Sequence, residues 1–97
     1  MKKISFVFSF KNEENNLEEL IKRVDTSVKK LKNYNYELIF VNDASDDQSE
    51  KILENLQKTY PITIINMSRT FGVGPCVMAG FRHTDGDCIV YMDSDLQ

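Results

Sequence analysis

Four short apolar segments alternate with three segments of helical periodicity, and this alternation most limits how the 97-residue chain can fold. The strand-like segments are residues 4–10, 36–41, 62–67 and 88–92, each rich in β-branched or aromatic residues and bounded by polar clusters. Parallel strands joined through helices, with short links, pack into a sheet with right-handed crossovers. The sequence therefore predicts an α/β fold, a βαβαβαβ parallel sheet with helices on both faces.

The three predicted helices each carry an apolar stripe. The first has Asn15 or Asn16 as its cap and runs to about Lys32, and residues 33–35 break it. The second begins with Ser45 or Asp46 in a capping motif, and the third begins at Pro75. The positions expected to face inward are Leu17, Leu20, Ile21, Val24, Val28 and Leu31 in the first helix, Ile52, Leu53 and Leu56 in the second, and Val77, Met78 and Phe81 in the third.

Composition is that of an ordinary soluble domain, with 41% hydrophobic and 28% charged residues. The net charge of −3 gives no basis for nucleic-acid binding, and no run approaches the roughly 18 apolar residues of a membrane span. The two cysteines have neither metal-ligand spacing nor the number needed for a disulfide framework. We therefore expect a single cytoplasmic domain without an internal boundary.

Polar clusters follow each predicted strand. Since ligands of open α/β sheets bind at the carboxyl ends of the strands, these clusters mark a candidate site. Neither a dinucleotide-binding glycine motif nor a P-loop is present, so a nucleotide would be held by side chains and a metal. The clusters are Lys11, Asn12 and Glu13 after the first strand, Asn42 and Asp43 after the second, Ser68 and Arg69 after the third, and Asp93, Asp95 and Gln97 after the fourth.

The last five residues include two carboxylates, Asp93 and Asp95, spaced one residue apart directly after a predicted buried strand. Oxygen ligands of this kind suit Mg²⁺ or Mn²⁺, which keep open positions for substrate phosphates. Such a motif belongs in the middle of an active site. We therefore expect residues 1–97 to be the front part of a longer enzyme.

These motifs, in this order, resemble family 2 glycosyltransferases of the GT-A fold. The resemblance covers essentially the whole chain and is nearest to the polyprenyl-phosphate sugar transferases, a branch that includes dolichyl-phosphate mannose synthase. The segments that carry it are residues 5–14, Val41-Asn42-Asp43-Ala44-Ser45, Ser68-Arg69-Thr70-Phe71-Gly72, Ala79-Gly80, Gly86-Asp87 and Asp93-Ser94-Asp95-Leu96-Gln97.

The resemblance implies that residues 1–97 are the N-terminal nucleotide-sugar-binding part of a glycosyltransferase domain, truncated after the Asp-x-Asp motif. It also assigns roles to particular residues. It implies a nucleotide site made by Ser9, Lys11, Glu13, Asp43 and Asp93. It implies that Asp93, Asp95 and Gln97 bind Mg²⁺ or Mn²⁺, and that Arg69 contacts a phosphate. No catalytic residue is expected before Gln97, so the base would lie beyond it and residues 1–97 alone would be inactive.

The resemblance also implies a reaction and its partners. The donor would be a UDP- or GDP-hexose and the acceptor a polyprenyl phosphate, in a metal-dependent, inverting transfer. The whole enzyme would work at the cytoplasmic face of the membrane, with membrane contact only through the part beyond Gln97. An uncovered edge of the sheet would allow residues 1–97 to self-associate.

The chain departs from the family pattern at four positions. Ser9 replaces the usual proline, Lys11 a tyrosine, Asn42 the first aspartate of a pair, and Ala44 a glycine. Loss of the tyrosine removes a stacking surface for the base, and Lys11 would instead reach a phosphate or pack along the base. The departures leave the choice between uracil and guanine open.

Other interpretations remain for the chain and for single residues. A family 2 transferase acting on a polysaccharide, lipid or protein is one, and a non-catalytic signalling module of receiver type is another. A receiver would need an acid at the end of the third strand, and a nucleotidyltransferase would need a glycine-rich, arginine-bearing loop after the first; neither is present. For single side chains, Asp46 and Asp47 are expected to be loop or cap groups, Glu14 to face solvent, and Arg69 to be either a phosphate contact or a surface cation.

Overall fold

The computed structural model describes residues 2–67, 69, 78–82, 84 and 86–93, without the side chains of Met92 and Asp93. In chain order the elements are β1 (Lys2–Phe10), α1 (Leu17–Lys29), β2 (Tyr34–Asn42), α2 (Ser49–Leu56), β3 (Ile62–Asn66) and β4 (Cys88–Asp93). Residues 78–81, between β3 and β4, are also helical. The predicted α/β order is confirmed.

The four strands form one parallel sheet in the order β3-β2-β1-β4. From β1 the chain crosses outward to β2 and β3, and then returns to the other side of β1 to form β4. The strand order therefore reverses between β1 and β4, and open parallel sheets bind ligands beside such a reversal.

One face of the sheet is covered by α1 and α2. Successive strand residues point to opposite faces, which places the even-numbered aromatic residues of β1 and β2 together. The rings of Phe8 and Phe40 stack with centroids 4.7 Å apart, and Phe10 meets Phe40 edge-on at 6.0 Å. Leu17, Ile21 and Leu53 from the two helices are fully buried in the same cluster.

The other face is approached by the helical residues 78–81. Val7 and Val41 lie on this face and are fully buried. A Cβ atom on Gly80 would be 2.4 Å from Val7 Cγ1 and 3.2 Å from Val41 Cγ2, so only glycine permits this contact. Helices therefore lie on both faces, as predicted. Because Gly80 takes the position against the sheet, Met78 and Phe81 are 54% and 38% exposed, and their predicted inward orientation is wrong.

Two helix boundaries differ from the prediction. Helix α1 ends at Lys29 rather than near Lys32, so Leu31 lies outside it and is 48% exposed instead of buried. Asn33 makes the turn in the left-handed region (φ 69°), and β2 begins at the next residue. Helix α2 begins at Ser49, later than the caps predicted at Ser45 or Asp46.

A set of hydrogen bonds, which we call the amino-edge network, joins Lys3, Ser5, Glu37, Gly86 and Asp87 where the strands begin. The Ser5 hydroxyl accepts the Gly86 N–H (2.9 Å) and donates to the Glu37 carboxylate. Lys3 and Asp87 exchange two bonds, Lys3 N to Asp87 Oδ2 (2.9 Å) and Asp87 N to Lys3 O (2.8 Å). The network fixes the point at which β4 enters the sheet.

Candidate functional site

The carboxyl ends of the strands bring several of the predicted site residues to one edge of the sheet. Ser9 on β1 pairs with Val41 on one side and with Asp93 on the other. Asp43 follows β2 directly, and its N–H donates to the Phe10 carbonyl oxygen (2.9 Å). Ser9, Asp43 and the backbone of Asp93 therefore lie together beside the reversal in strand order.

Asp43 is nearly buried, with 8% of its surface exposed. A carboxylate in such a position loses hydration, a cost that hydrogen bonds or opposite charges normally offset. The side chain of Asp43 is therefore held at the sheet edge rather than extended into solvent, and its role in binding stays a prediction.

Ser9 has a partner that sequence reasoning missed. Its hydroxyl lies 3.1 Å from the hydroxyl of Tyr91, which is half-buried on β4. Tyr91 pairs with Val7, and residues two apart on a strand share a face, so Tyr91 and Ser9 lie on the same side of the sheet. Because Tyr91 lies within a run of apolar strand residues, nothing in the sequence indicated that its hydroxyl has a hydrogen-bonding partner.

The loop after β1 places Lys11 and Glu13 on either side of Asn12. Asn12 adopts the left-handed conformation (φ 57°), which asparagine tolerates better than most residues. Lys11 is exposed and Glu13 half-buried. Part of the Glu13 carboxylate is engaged locally, since Oε2 accepts the Asn16 side-chain amide (2.9 Å).

The loops after β1 and β2 are joined by side chain–backbone hydrogen bonds. The Asn12 N–H donates to Ser45 Oγ (2.9 Å), and the Asp46 N–H donates back to Asn12 Oδ1 (2.9 Å). We call this reciprocal pair the loop clamp. The neighbouring Glu13 N–H donates to the fully buried hydroxyl of Ser49 (3.0 Å).

A second reciprocal pair follows the loop clamp along both loops. The Glu14 N–H donates to Asp47 Oδ2 (3.3 Å), and the Gln48 N–H donates to Glu14 Oε2 (3.2 Å). Glu14 was expected to face solvent, and this is wrong, because its carboxylate binds the other loop. Asp47 also accepts the Ser49 N–H (2.9 Å) just before α2, which confirms it as a loop group, while Gln48 is the N-cap residue of the helix.

The contacts of Asp47 change its acidity. Burial acts to raise the pKa of the Asp47 carboxyl, but hydrogen bonding to Ser49 and to the N–H groups of Ser49 and Glu14 outweighs burial. The pKa therefore lies below its ordinary value of 3.8. Asp47 is consequently ionised at neutral pH and holds both loops as a charged acceptor.

Asn42 explains one departure from the family pattern. It is 3% exposed, its Nδ2 donates to Asn66 Oδ1 (3.1 Å), and its Oδ1 accepts the Ser45 N–H (2.9 Å). An aspartate could accept but not donate, so the amide is matched to Asn66. The other departure in this loop, Ala44, lies at φ 59°, where a glycine would be less strained.

The predicted site residues that remain are Ser68, Arg69, Asp95 and Gln97. Arg69 is exposed and follows β3, which is separated from β4 by two strands. Asp95 and Gln97, predicted as metal ligands, lie outside the described residues, as does Ser68. Within the described part of the chain, no three histidine, cysteine, aspartate or glutamate side chains are grouped to hold a metal.

Comparison with known proteins assigns the family. Residues 5–97 match Glycosyl transferase family 2. The chain belongs to this family. The fold agrees, since the mannosyltransferase PcManGT from Pyrobaculum calidifontis, solved in complex with GDP-Man and Mn²⁺, superposes with a TM-score of 0.83 over 97% of this chain and 28% of its own. At 20% identity this likeness shows the GT-A fold alone.

Two relatives are similar in sequence across almost the whole chain. The undecaprenyl-phosphate 4-deoxy-4-formamido-L-arabinose transferase of Proteus mirabilis is 42% identical over 98% of this chain. The dolichol-phosphate mannosyltransferase of Pyrococcus furiosus is 37% identical over 98% of it. The chain spans only 29% and 26% of the lengths of these two relatives. Across the described residues, no helix has both the length and the apolar character needed to cross a bilayer.

Proposed function

We propose that this family 2 chain supplies the nucleotide-sugar site of a transferase that moves a hexosyl group to a polyprenyl phosphate. The observation that carries the proposal is the nearly buried Asp43 at the carboxyl edge, next to the strand reversal where Ser9 pairs with Asp93. The names of the two relatives support the acceptor, since both refer to a polyprenyl phosphate.

In this proposal the side chains of the two joined loops bind the nucleotide. Asp43 accepts hydrogen bonds from the base. Because its side chain is already held at the sheet edge, it loses little conformational entropy when the nucleotide binds. Glu13 and Ser9 contact the nucleoside from the β1 side. Lys11, exposed at the same edge, reaches the diphosphate through its flexible stem, and Arg69 is a second candidate for a phosphate contact.

The proposed metal ligands fit a hard cation. Asp93, Asp95 and Gln97 offer oxygen donors, which Mg²⁺ and Mn²⁺ prefer. A cation held there would neutralise the charge that develops on the diphosphate leaving group. The Mn²⁺ in the PcManGT structure supports a divalent cation as the cofactor.

The acceptor chemistry determines what else the site needs. A phosphate acceptor is ionised at neutral pH, so it needs little general-base assistance. Attack by its oxygen on the anomeric carbon, with the nucleoside diphosphate leaving from the opposite side, inverts that carbon in one step. The chain's own residues then need only hold the donor, exclude water and orient the leaving group.

Calorimetric titration of UDP and GDP into the full-length protein, with and without Mn²⁺, tests the nucleotide site. We expect one nucleotide to bind in a metal-dependent manner and Asp95→Ala to weaken that binding at least about tenfold. Asp46→Ala, at an exposed carboxylate of the same loop region, should bind like the wild type. Failure of the full-length protein to bind either nucleotide in the presence of Mn²⁺ would disprove the proposal.

A second assay tests the acceptor. The matching nucleotide hexose is incubated with undecaprenyl phosphate in detergent or with a soluble saccharide, and products are identified by mass spectrometry. Formation of a polyprenyl-phosphate hexose is the expected result. Transfer to the saccharide alone would assign the protein to the other family 2 acceptor class.

A further inference from the structure

We propose that Asn12 and Ser45, the two side chains of the loop clamp, are positioning residues that hold the two nucleotide-binding loops in one fixed arrangement. The inference rests on the proposed function, because it takes a nucleoside diphosphate as the ligand. Neither residue needs to touch that ligand. Each acts through the residues beside it in the chain.

The loop clamp lies directly between the proposed binding residues. Lys11 and Glu13 flank Asn12, and Asp43 lies two residues before Ser45. The two bonds of the clamp, Asn12 N to Ser45 Oγ and Asp46 N to Asn12 Oδ1, are both 2.9 Å long and join residues 33 and 34 positions apart. The same contact therefore sets the position of both binding segments relative to each other.

The clamp is anchored in the sheet. The Ser45 N–H donates to Asn42 Oδ1 (2.9 Å), and Asn42 is the buried last residue of β2. Its side-chain amide continues to Asn66 at the end of β3 (3.1 Å). A chain of hydrogen bonds thus runs from the β1 loop through the β2 loop to a third strand end.

The exposure of these loops makes a positioning role necessary. Asn12 and Asp46 are both exposed, so apolar burial does little to order them. A loop that is mobile before binding must lose its conformational freedom when the ligand arrives, and this weakens affinity. Hydrogen bonds that order the loops in advance remove that cost, and their loss should weaken nucleotide binding more than it weakens the fold.

A matched pair of substitutions in the full-length protein separates positioning from general stability. Ser45→Ala removes the clamp hydroxyl, and Ser5→Ala removes a buried hydroxyl at the opposite edge of the same sheet, where it bonds Gly86 and Glu37. Ser45→Thr keeps a hydroxyl and serves as the rescue variant. Binding of UDP and GDP is measured by calorimetry, and stability by urea unfolding.

We expect Ser45→Ala to weaken binding of the preferred nucleotide about five- to tenfold, the equivalent of one or two lost hydrogen bonds. Ser45→Thr should restore the affinity, and Ser5→Ala should change it by less than about twofold even though its stability falls. Equal losses of affinity in Ser45→Ala and Ser5→Ala would overturn the inference, as would unchanged affinity in Ser45→Ala.

Hydrogen exchange without ligand keeps this test distinct from that of the proposed function. In Ser45→Ala the amides of Asn12 and Asp46 should exchange faster, while those of Lys3 and Asp87 at the amino edge should not. If the Asn12 and Asp46 amides exchange faster in Ser45→Ala but the wild type binds no nucleotide, the clamp exists, while the proposed function and the role of the clamp in nucleotide binding are both disproved. Unchanged exchange at Asp46 would disprove the clamp itself, whatever the wild type binds.

Discussion

The two edges of the sheet use hydrogen bonds in different ways. At the amino edge, the Ser5 hydroxyl donates to the Glu37 carboxylate and accepts the Gly86 N–H, and Asp87 bonds the backbone of Lys3. At the carboxyl edge, side chains from one loop bond the backbone of another, as Asn12 does with Asp46. The first arrangement locks a strand into the sheet, and the second aligns two loops while leaving their neighbouring side chains at the surface.

The difference separates a closely packed edge of the sheet from an edge with accessible side chains. The amino-edge network is so closely packed that Gly86 has no room for a side chain. The carboxyl edge keeps Lys11 exposed and Glu13 half-buried next to the clamp. Substitutions at the amino edge should therefore affect stability, and those at the carboxyl edge should affect ligand affinity as well.

Gly86→Ala should have the largest effect on stability. Its Cβ would lie 2.3 Å from Ser5 Oγ, 2.8 Å from Ser5 N and 3.0 Å from the Lys3 carbonyl oxygen, and the two backbone atoms cannot move aside cheaply. We expect the free energy of unfolding to fall by about 1–3 kcal/mol, as is typical of overpacking. Urea unfolding of the full-length protein measures it.

The nucleotide affinity of Gly86→Ala provides the control for this prediction. Under conditions where the variant is folded, its dissociation constant should match that of the wild type. An affinity that falls in step with stability would mean that the two edges are not independent, and the comparison would fail.

Asn42→Asp should have an effect at most as large as that of Gly86→Ala, at the carboxyl edge. The new carboxylate cannot donate to Asn66 Oδ1. In the wild type, Asn66 Nδ2 donates to the Glu50 carboxylate (3.0 Å). Rotation of the Asn66 amide would therefore turn its oxygen toward the carboxylate of Glu50, and the two groups would repel each other. We expect stability to fall by about 1–3 kcal/mol at neutral pH, the cost of an unsatisfied buried polar group. Urea unfolding measures this loss.

Glu50→Gln supplies the rescue for Asn42→Asp. In the double variant, the new side-chain amide at position 50 can donate to the rotated Asn66, so the chain of hydrogen bonds closes with reversed direction. We expect the double variant to recover most of the loss, while Glu50→Gln alone changes stability little. Additive losses in the double-mutant cycle would show that this network does not couple the two positions.

The smallest effect concerns pH. Because the pKa of Asp47 is lower in the folded state than its ordinary value of 3.8, its ionised form stabilises the fold. That contribution is complete above the ordinary value and is lost as the pH falls below it, through the folded-state pKa. Asp47→Asn should therefore be less stable than the wild type at neutral pH, and the difference should shrink below about pH 4.

Asp46→Asn is the matched control for the pH experiment. Asp46 is exposed and joins the loops through its N–H rather than its carboxylate. At neutral pH the stability of Asp46→Asn should differ from that of the wild type by less than the stability of Asp47→Asn does. A pH-independent difference for Asp47→Asn would show that its carboxylate contacts with Ser49 and Glu14 contribute nothing measurable.

Much of the fold could be predicted because its signals are local. Strand and helix periodicity located all four strands, and the buried stripe of α1 was correct except at Leu31. The third predicted helix shows where prediction from local patterns fails. Met78 and Phe81 were assigned inward positions because they are hydrophobic, but both are exposed. The structure places Gly80 against the sheet instead, and the close approach of Val7 that requires a glycine is a long-range fact.

The site was predicted less completely. Polar residues after each strand pointed to the carboxyl edge, and the structure brings Ser9, Asp43 and the Asp93 backbone together there. The metal assignment to Asp95 and Gln97 stays a prediction, since both lie outside the described residues. The contacts of Asn12, Ser45 and Tyr91 went unnoticed, because each has its partner at least 33 positions away.

The sequence by itself determined the element order, the parallel sheet and the edge at which polar residues gather, because periodicity and turn chemistry act between neighbours in the chain. Only the tertiary structure decided which side chains meet across that edge. Asn12 and Ser45 became a clamp because the sheet places β1 beside β2, and the energy of a hydrogen bond depends on distances of a few tenths of an ångström that no local pattern contains.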